Sequence, residues 1–332
     1  MNDQPRRTEG PVFRLPIARY RFTVEARDRL ELPYFAGSML RGAFGHSLRR
    51  LVCLTRAPTC TGCPLRATCA YPRLFEPHDV DVASVGLPAA SAQPTPPLAF
   101  EPPALGRRSI EPGNSWRFSI KLFGKAIEDL PLVVEAIRRA AEKGFGVRSA
   151  TGDLVAVDAL AAEAAFPLFN PSQALLREWR HLLLQQPAAS GLEPLEIHLA
   201  TPLRMQSNAH RVSAQEIDAP KFVAGILKRA RLLMASAGER EARLEVAQWP
   251  VKAWVDEARL ARLEKHFDWV DWTRHSQRQS KSMSLGGWVG LAYIFGSTPS
   301  VRSILALGTS TGLGKETVFG FGQYSLAERM NP

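Results

Sequence analysis

The chain has 332 residues, room for two domains of ordinary size or one large one. Hydrophobic residues make up 45% and charged residues 22%, which excludes wholesale disorder and a collagen-like chain. Lys and Arg number 42 against 32 Asp and Glu, a net charge of +10. That surplus makes nucleic acid a candidate partner, although Arg-rich proteins that bind none also exist. No run of about 18 apolar residues occurs, so no membrane-spanning helix is expected. The opening MNDQPRRTEG has no apolar stretch behind it, so a secretory leader is not expected either, and the expected location is the cytoplasm.

Residues 1–10 read as a frayed tail. Within 13–32 the alternation Tyr20-Arg21-Phe22-Thr23-Val24 predicts a strand. Residues 37–52 read as a helix, with Met39, Leu40, Ala43, Phe44, Leu48, Leu51 and Val52 at helical spacing. All four cysteines follow, in the spacing C-x6-C-x2-C-x5-C. From 78 to 113 the chain turns to Pro, Ala and Ser and reads as a long loop or insertion. A strand is expected at 116–123, a helix at 128–143, and a Gly-rich turn leading into a strand or hairpin at 144–160.

The second half has a similar order. Residues 194–205 alternate as a strand, and 218–234 read as a helix with Asp218 as N-cap and Pro220 in its first turn. Phe222, Val223, Ile226, Leu227, Ala230, Leu233 and Met234 form its apolar face, and Lys221, Lys228, Arg229 and Arg231 the other. Strands are expected at 244–255 and 285–295, a short helix at 299–307, then a Gly-rich loop and a last strand at 318–326. The fold class is therefore α+β: two tandem ferredoxin-like (RRM-like) βαββαβ domains, with a Cys-rich and Pro-rich insertion at 53–113 in the first. The expected domains are 1–188 and 189–332, with the crossing near 185–191.

Four thiols within 17 residues, bent by Gly62 and Pro64, suit a metal better than disulfides in a cytoplasmic chain. Structural zinc on Cys53, Cys60, Cys63 and Cys69 is expected, with an iron–sulfur cluster as the alternative. A redox role for the Cys60–Cys63 pair lacks a βαβ context. The segment GTSTGLGKETVFGFGQYSL holds the densest glycine pattern. Gly312, Gly314, Gly320 and Gly322 would let backbone approach a phosphate chain, and Lys315 adds a point charge. It is not a P-loop: Glu316 stands where Ser or Thr is required, and Gly308 is one residue too far away. A Gly-rich hairpin without ligand is the plainer alternative.

Upstream, Arg274, His275, Arg278 and Lys281 form a polar, basic stretch suited to RNA phosphates and 2′-hydroxyls, or simply a solvated loop. On the first helix His46 adjoins Arg49 and Arg50, three and four residues on, and Arg41 adds a further cation. Imidazole suits proton transfer near neutral pH, and Tyr34, just before the helix, could serve the same place. No acidic pair, G-x-S-x-G or H-E-x-x-H motif stands out. Phosphodiester cleavage would then take a metal-free route in which an RNA 2′-hydroxyl attacks its own phosphate, aided by His, Tyr and Arg or Lys.

The stretches HSQRQSKSMSLGGWVG and LGTSTGLGKETVFGFGQYSL resemble the C-terminal domain of the CRISPR-associated precursor-RNA processing endoribonucleases of the RAMP superfamily, the Cas six family. HLATPLRMQSNAHRV resembles the first strand of that domain. LRGAFGHSLRRLVC, the Cys cluster and PRLFEP resemble the N-terminal domain of one branch. The likeness implies two ferredoxin-like domains facing a basic cleft. It implies cleavage of CRISPR repeat RNA to a 2′,3′-cyclic phosphate and a 5′-hydroxyl, with possible retention of the crRNA and other Cas subunits as partners. It also implies His46 as catalytic residue, Tyr34 as its partner and His275 as runner-up. Arg49 or Arg50 stands where some members carry a Lys. The competing expectation is a non-catalytic RAMP subunit that holds RNA in an effector complex.

Overall fold

The structure, a computed structural model, describes residues 10–89, 93–161, 164–170, 194–207, 210–276 and 281–328. The first half contains β1 (Ile17–Ala26), β2 (Leu30–Leu32), α1 (Gly37–Val52), α2 (Ala70–Phe75), β3 (Leu98–Glu101), β4 (Arg108–Ile110), β5 (Ser115–Phe123), α3 (Leu130–Lys143), β6 (Gly152–Ala161) and β7 (Ala164–Phe169). Its main sheet is antiparallel in the order β3-β5-β1-β6-β7, and β2 pairs with β4 beside it. Alternation along β1 explains its orientation. Ala18, Tyr20, Phe22 and Val24 are buried in one core with Leu40, Phe44 and Leu48 of α1 and Val133, Ile137 and Ala140 of α3. Arg19, Arg21, Thr23 and Glu25 take the opposite face.

The second half contains β8 (Leu195–Leu203), β9 (Gln206–Ser207), β10 (His210–Arg211), α4 (Ala219–Ala237), α5 (Arg240–Ala247), α6 (Val251–Ala258), β11 (Arg262–Ser276), β12 (Lys281–Phe295), α7 (Pro299–Thr311) and β13 (Tyr324–Glu328). Its antiparallel sheet runs β11-β12-β8-β13. In each half the strands of the βαββαβ unit therefore lie in the order second, third, first, fourth. This is the tandem ferredoxin-like architecture, with β7 added to one edge and α5–α6 inserted after the first helix of the second unit. Asp218 caps α4, its Oδ1 accepting from Lys221 N at 2.8 Å, and Thr298 Oγ1 caps α7 through Val301 N at 3.2 Å.

Three expectations need correction. The stretch 78–113 is not all loop. Leu98 and Phe100 are fully buried in β3, which is the second strand of the first unit and pairs Leu98 with Leu122 and Phe100 with Ile120. Prolines 94, 96, 97, 102 and 103 mask it in sequence, but they lie outside the paired residues of an edge strand. No strand forms at 244–255. Pro250 separates the two helices α5 and α6, whose Val246, Trp254 and Ala258 join the second core. The basic face expected on α4 is half interior: Arg229 and Arg231 are buried. Two boundaries also shift. The helix from Pro299 continues to Thr311, and the last strand starts only at Tyr324.

The halves share more than a linker. The core of the second includes Phe13, Leu15, Val82 and Val85 from the first, with Phe13 edge-on to Trp249 at 5.0 Å and to Trp254 at 5.8 Å. The expected crossing at 185–191 lies outside the described residues. Among the described residues no helix is long and apolar enough to cross a membrane.

Candidate functional site

The two units meet at a small core of Phe35, Leu285, Phe319 and Phe321, with Tyr34, Leu105 and Trp272 packed against it. The glycine-rich segment builds this joint. A Cβ on Gly320 would stand 2.6 Å from Phe100 O, and one on Gly37, at the start of α1, 1.8 Å from Phe319 O. Gln323 Nε2 donates to Phe100 O at 2.8 Å. Gly312, Gly320 and Gly322 are buried, so these glycines serve backbone-to-backbone packing within the protein. Gly314 is half-buried beside Arg204 O, and Lys315 alone on this loop carries an exposed positive charge.

On α1 the candidates separate. His46 is exposed and lies opposite the Leu40–Phe44–Leu48 stripe; among the described residues it has no hydrogen-bond or ion-pair partner. Gly42, one turn earlier on the same face, would have nothing within 4 Å of an added Cβ, so the surface beside the imidazole is open. Arg50 is exposed one turn later. Arg49 instead points into the Cys loop: its Nη2 donates to Ala57 O and, at 2.8 Å, to Pro58 O, and its guanidinium lies 5.7 Å from the Tyr71 ring centre. Arg41 is held between the rings of Phe75 (4.1 Å) and Phe319 (5.0 Å). Tyr34 precedes the first turn of α1, and His46 lies on its third turn. The Tyr34 ring lies 5.8 Å from Trp272, and the rise from Gly37 to His46 is about 13 Å along the helix.

The described flanks of the basic stretch, 274–276 and 281, are paired strand at the end of β11 and the start of β12. β11 and β12 pair from Arg262↔Phe295 to Ser276↔Lys281, which puts Arg274 opposite Met283 and His275 opposite Ser282. Arg278 lies outside the described residues, as do the side chains of Arg274, His275 and Lys281. Nearer the sheet, Gly286 leaves room for the Trp269 indole, whose ring atom would be 2.6 Å from an added Cβ. Arg211 covers that indole at 4.5 Å, and Trp288 meets it edge-on at 5.0 Å.

The four cysteines connect α1 to α2. The Cys53 N–H donates to Arg49 O at 2.9 Å, and Cys69 directly precedes α2. Thr55 Oγ1 lies 3.9 Å from Cys53 Sγ and 3.7 Å from Cys63 Sγ. Desolvation is the largest influence on Cys53 and pushes its thiol up. Hydrogen bonds from Thr55, the Arg56 backbone and Arg49, together with the Arg49 charge, outweigh it, and the thiol titrates below its usual range. Cys60 is raised, first by desolvation and then by Glu76, Cys69 and Cys53 against Arg49. The four thiols thus share one neighbourhood. Among the described residues no group of three or more His, Cys, Asp or Glu side chains is drawn together around a common metal position.

Sequence reasoning missed the polar network on the face of the first sheet turned away from α1 and α3. Glu101, half-buried, lies between Lys121, at 2.9 Å, and Arg19, and Lys121 Nζ also donates to Thr309 O at 3.0 Å across the joint. Burial pushes the Glu101 carboxyl up, but Lys121 and Arg19 outweigh it and hold the group below the usual carboxylate range. Period-two alternation in 115–123 does place Lys121 opposite the core face; nothing in the sequence says that α7 arrives there.

Two family models match. Residues 15–181 match the AF_1859 N-terminal domain, and residues 197–324 match the CRISPR-associated endoribonuclease Cas6. An uncharacterized protein of Archaeoglobus fulgidus is 30% identical over 118 residues, 36% of this chain and 38% of that protein. The chain thus matches well under half the length of that relative. Among solved structures, a partial Cas6-RT-Cas1–Cas2 complex aligns at TM-score 0.53 and 14% identity, covering 97% of this chain and 47% of the other. A Cas6 product complex aligns at 0.53 and 15%, covering 94% and 99%. Thermus thermophilus Cas6 aligns at 0.50 and 13%, covering 95% and 100%. These likenesses show a shared fold. The first unit therefore carries an AF_1859 N-terminal domain and the second a domain of the CRISPR-associated endoribonuclease Cas6 family, in the tandem ferredoxin-like fold.

Proposed function

We propose that this chain is a metal-independent endoribonuclease that cuts CRISPR repeat RNA in precursor crRNA and keeps hold of its product. The observation that carries this is His46: an exposed imidazole on a basic helix, beside the open surface at Gly42, in a chain whose second unit matches the Cas6 endoribonuclease model. The RNA 2′-oxygen attacks the adjacent phosphorus, the bond to the 5′-oxygen breaks, and a 2′,3′-cyclic phosphate and a 5′-hydroxyl result. His46 moves the proton, taking it from the 2′-hydroxyl or giving it to the leaving oxygen. Direct phosphate contacts fall to Arg50, Lys315 and the end of the β11–β12 hairpin, because Arg41 and Arg49 are engaged within the protein. A relative found in a Cas6-RT-Cas1–Cas2 complex supports assembly with other Cas subunits. Structural zinc, or an iron–sulfur cluster in its place, on the four cysteines belongs to the same proposal. It requires the thiols to draw closer, and it has no part in the chemistry.

A second reading, a non-catalytic RNA-holding subunit, draws on one observation: the Tyr34 ring is packed on Trp272 in the joint between the units. The two readings separate in one experiment. Wild type and His46→Ala are incubated with repeat RNA in excess EDTA, and the product ends are determined. Cleavage by wild type alone, with a cyclic phosphate, is expected. Equal cleavage by both would move the catalytic role to His275 or Tyr34, and tight binding without cleavage by either would establish the holding subunit.

A further inference from the structure

The β11–β12 hairpin outruns the sheet that supports it. β8 pairs with β12 only between Trp288↔Leu203 and Ile294↔Leu195, whereas the β11–β12 ladder continues to Ser276↔Lys281. Residues 270–276 and 281–287 are thus a two-stranded ribbon, an element with little stability of its own in water. It is anchored at one level. Trp272 and Leu285 are direct cross-strand partners, and both enter the small core at the joint. The Trp272 ring lies 5.2 Å from Phe35, 5.6 Å from Phe321 and 5.8 Å from Tyr34, and Leu285 is 2% exposed. Tyr34 and Phe35 lead straight into α1, whose Gly37 abuts Phe319 O. The ribbon is therefore docked on the start of the helix that carries His46. Its last paired residues lie two to four positions farther out, about 7–13 Å at strand rise.

We propose that Trp272 is a positioning residue: packed among Tyr34, Phe35 and Phe321, it fixes the basic end of the ribbon against α1 and so sets which phosphodiester of the RNA meets the catalytic face. The cleavage part of this proposal rests on the nuclease reading; the docking part does not. Backbone hydrogen–deuterium exchange is followed in wild type, Trp272→Ala and Trp272→Phe, and the same proteins cut repeat RNA under single and multiple turnover. In Trp272→Ala, amides of 270–276 and 281–287 exchange at least about tenfold faster while α1 and β8 keep their protection. Cleavage at the wild-type phosphodiester falls about tenfold or more in kcat, cuts spread to neighbouring positions, and KM moves less than about threefold. Trp272→Phe, which keeps a ring in the cluster, restores both readouts to within about threefold. Unchanged ribbon exchange in Trp272→Ala overturns the docking, and so does a general loss of protection that Phe does not rescue. Faster ribbon exchange with an unaltered cut site and rate overturns the positioning role. If wild type cuts no repeat RNA the nuclease reading fails, and the exchange data still decide whether Trp272 docks the ribbon.

Discussion

Lys121→Met tests the joint between the two units. Lys121 is buried on the face of the first sheet turned away from α1 and α3, where it pairs with Glu101 at 2.9 Å and donates to Thr309 O at 3.0 Å in the last turn of α7. Methionine matches the stem but removes the charge. Glu101 is left half-buried with Arg19 alone, and Thr309 O loses a donor from the other unit. Breaking a buried ion pair by deleting one partner costs about 3–5 kcal/mol, and the remaining Arg19 argues for the lower end, about 3 kcal/mol. The pH dependence carries the sign. Lys121 and Arg19 hold the folded Glu101 carboxyl below its ordinary value. The stability this group contributes is therefore present above the unfolded pKa, about 4.3, and is lost as pH falls through the folded value. In Lys121→Met the carboxyl rises, so the gap from wild type should be widest near neutral pH and narrow below about pH 5. Urea titrations followed by tryptophan fluorescence at several pH values read this directly, and Lys121→Met with Glu101→Gln should recover part of the loss. A cost under about 0.5 kcal/mol at pH 7, or a gap constant with pH, would refute the reasoning.

Gly320→Ala places a methyl 2.6 Å from Phe100 O at a φ of +97°, so it should lower stability by about 1–3 kcal/mol and weaken RNA cleavage through the joint; a melting temperature equal to wild type would contradict this. Elemental analysis and absorbance of anaerobically purified protein should find about one zinc per chain, or an iron–sulfur chromophore, that is lost in Cys60→Ser with Cys63→Ser. Metal-free protein with four titratable thiols would establish that the loop holds without one.

The helix over 37–52 was legible to the residue, because Leu40, Phe44 and Leu48 repeat at helical spacing in a stretch free of proline. Strand β3 was not, because a four-residue strand among five prolines carries too few residues for a period to emerge. The helices α5 and α6 fail for the opposite reason. Val246, Trp249 and Trp254 fit either period over so short a window, and what decides is the packing of Phe13 from the far end of the chain. The candidate site divides along the same line. The residue types on each element could be read, but not which element's end meets which. That Trp272, far along the chain, packs on the Tyr34 ring just before α1 has no signal in the sequence. Glycines that would suit a phosphate in an open loop turn out to press against Phe100 and Leu313 backbone.

The joint also accounts for cations that cannot serve RNA. The last turn of α7 presents unsatisfied carbonyls at the negative end of the helix dipole. Lys121 donates to Thr309 O, and Arg229 Nε donates to Thr311 O at 3.5 Å while another of its nitrogens donates to Thr95 Oγ1. Burial pulls Arg229 down to about 9, which still leaves it charged at neutral pH. These two buried cations come from β5 in one unit and α4 in the other, and they converge on a single helix end. The chain then turns at Gly312 into the segment that packs on β3 and α1. Charge in this protein therefore has two separate uses. Lys121, Arg229 and Arg41 are engaged at the joint, where they fix how the units meet, and Arg49 ties the Cys loop to α1. Arg50 and Lys315 are exposed and remain available to a polyanion. Removing one of the exposed pair should weaken RNA binding and flatten its salt dependence without touching stability, whereas removing an interior cation should do the reverse.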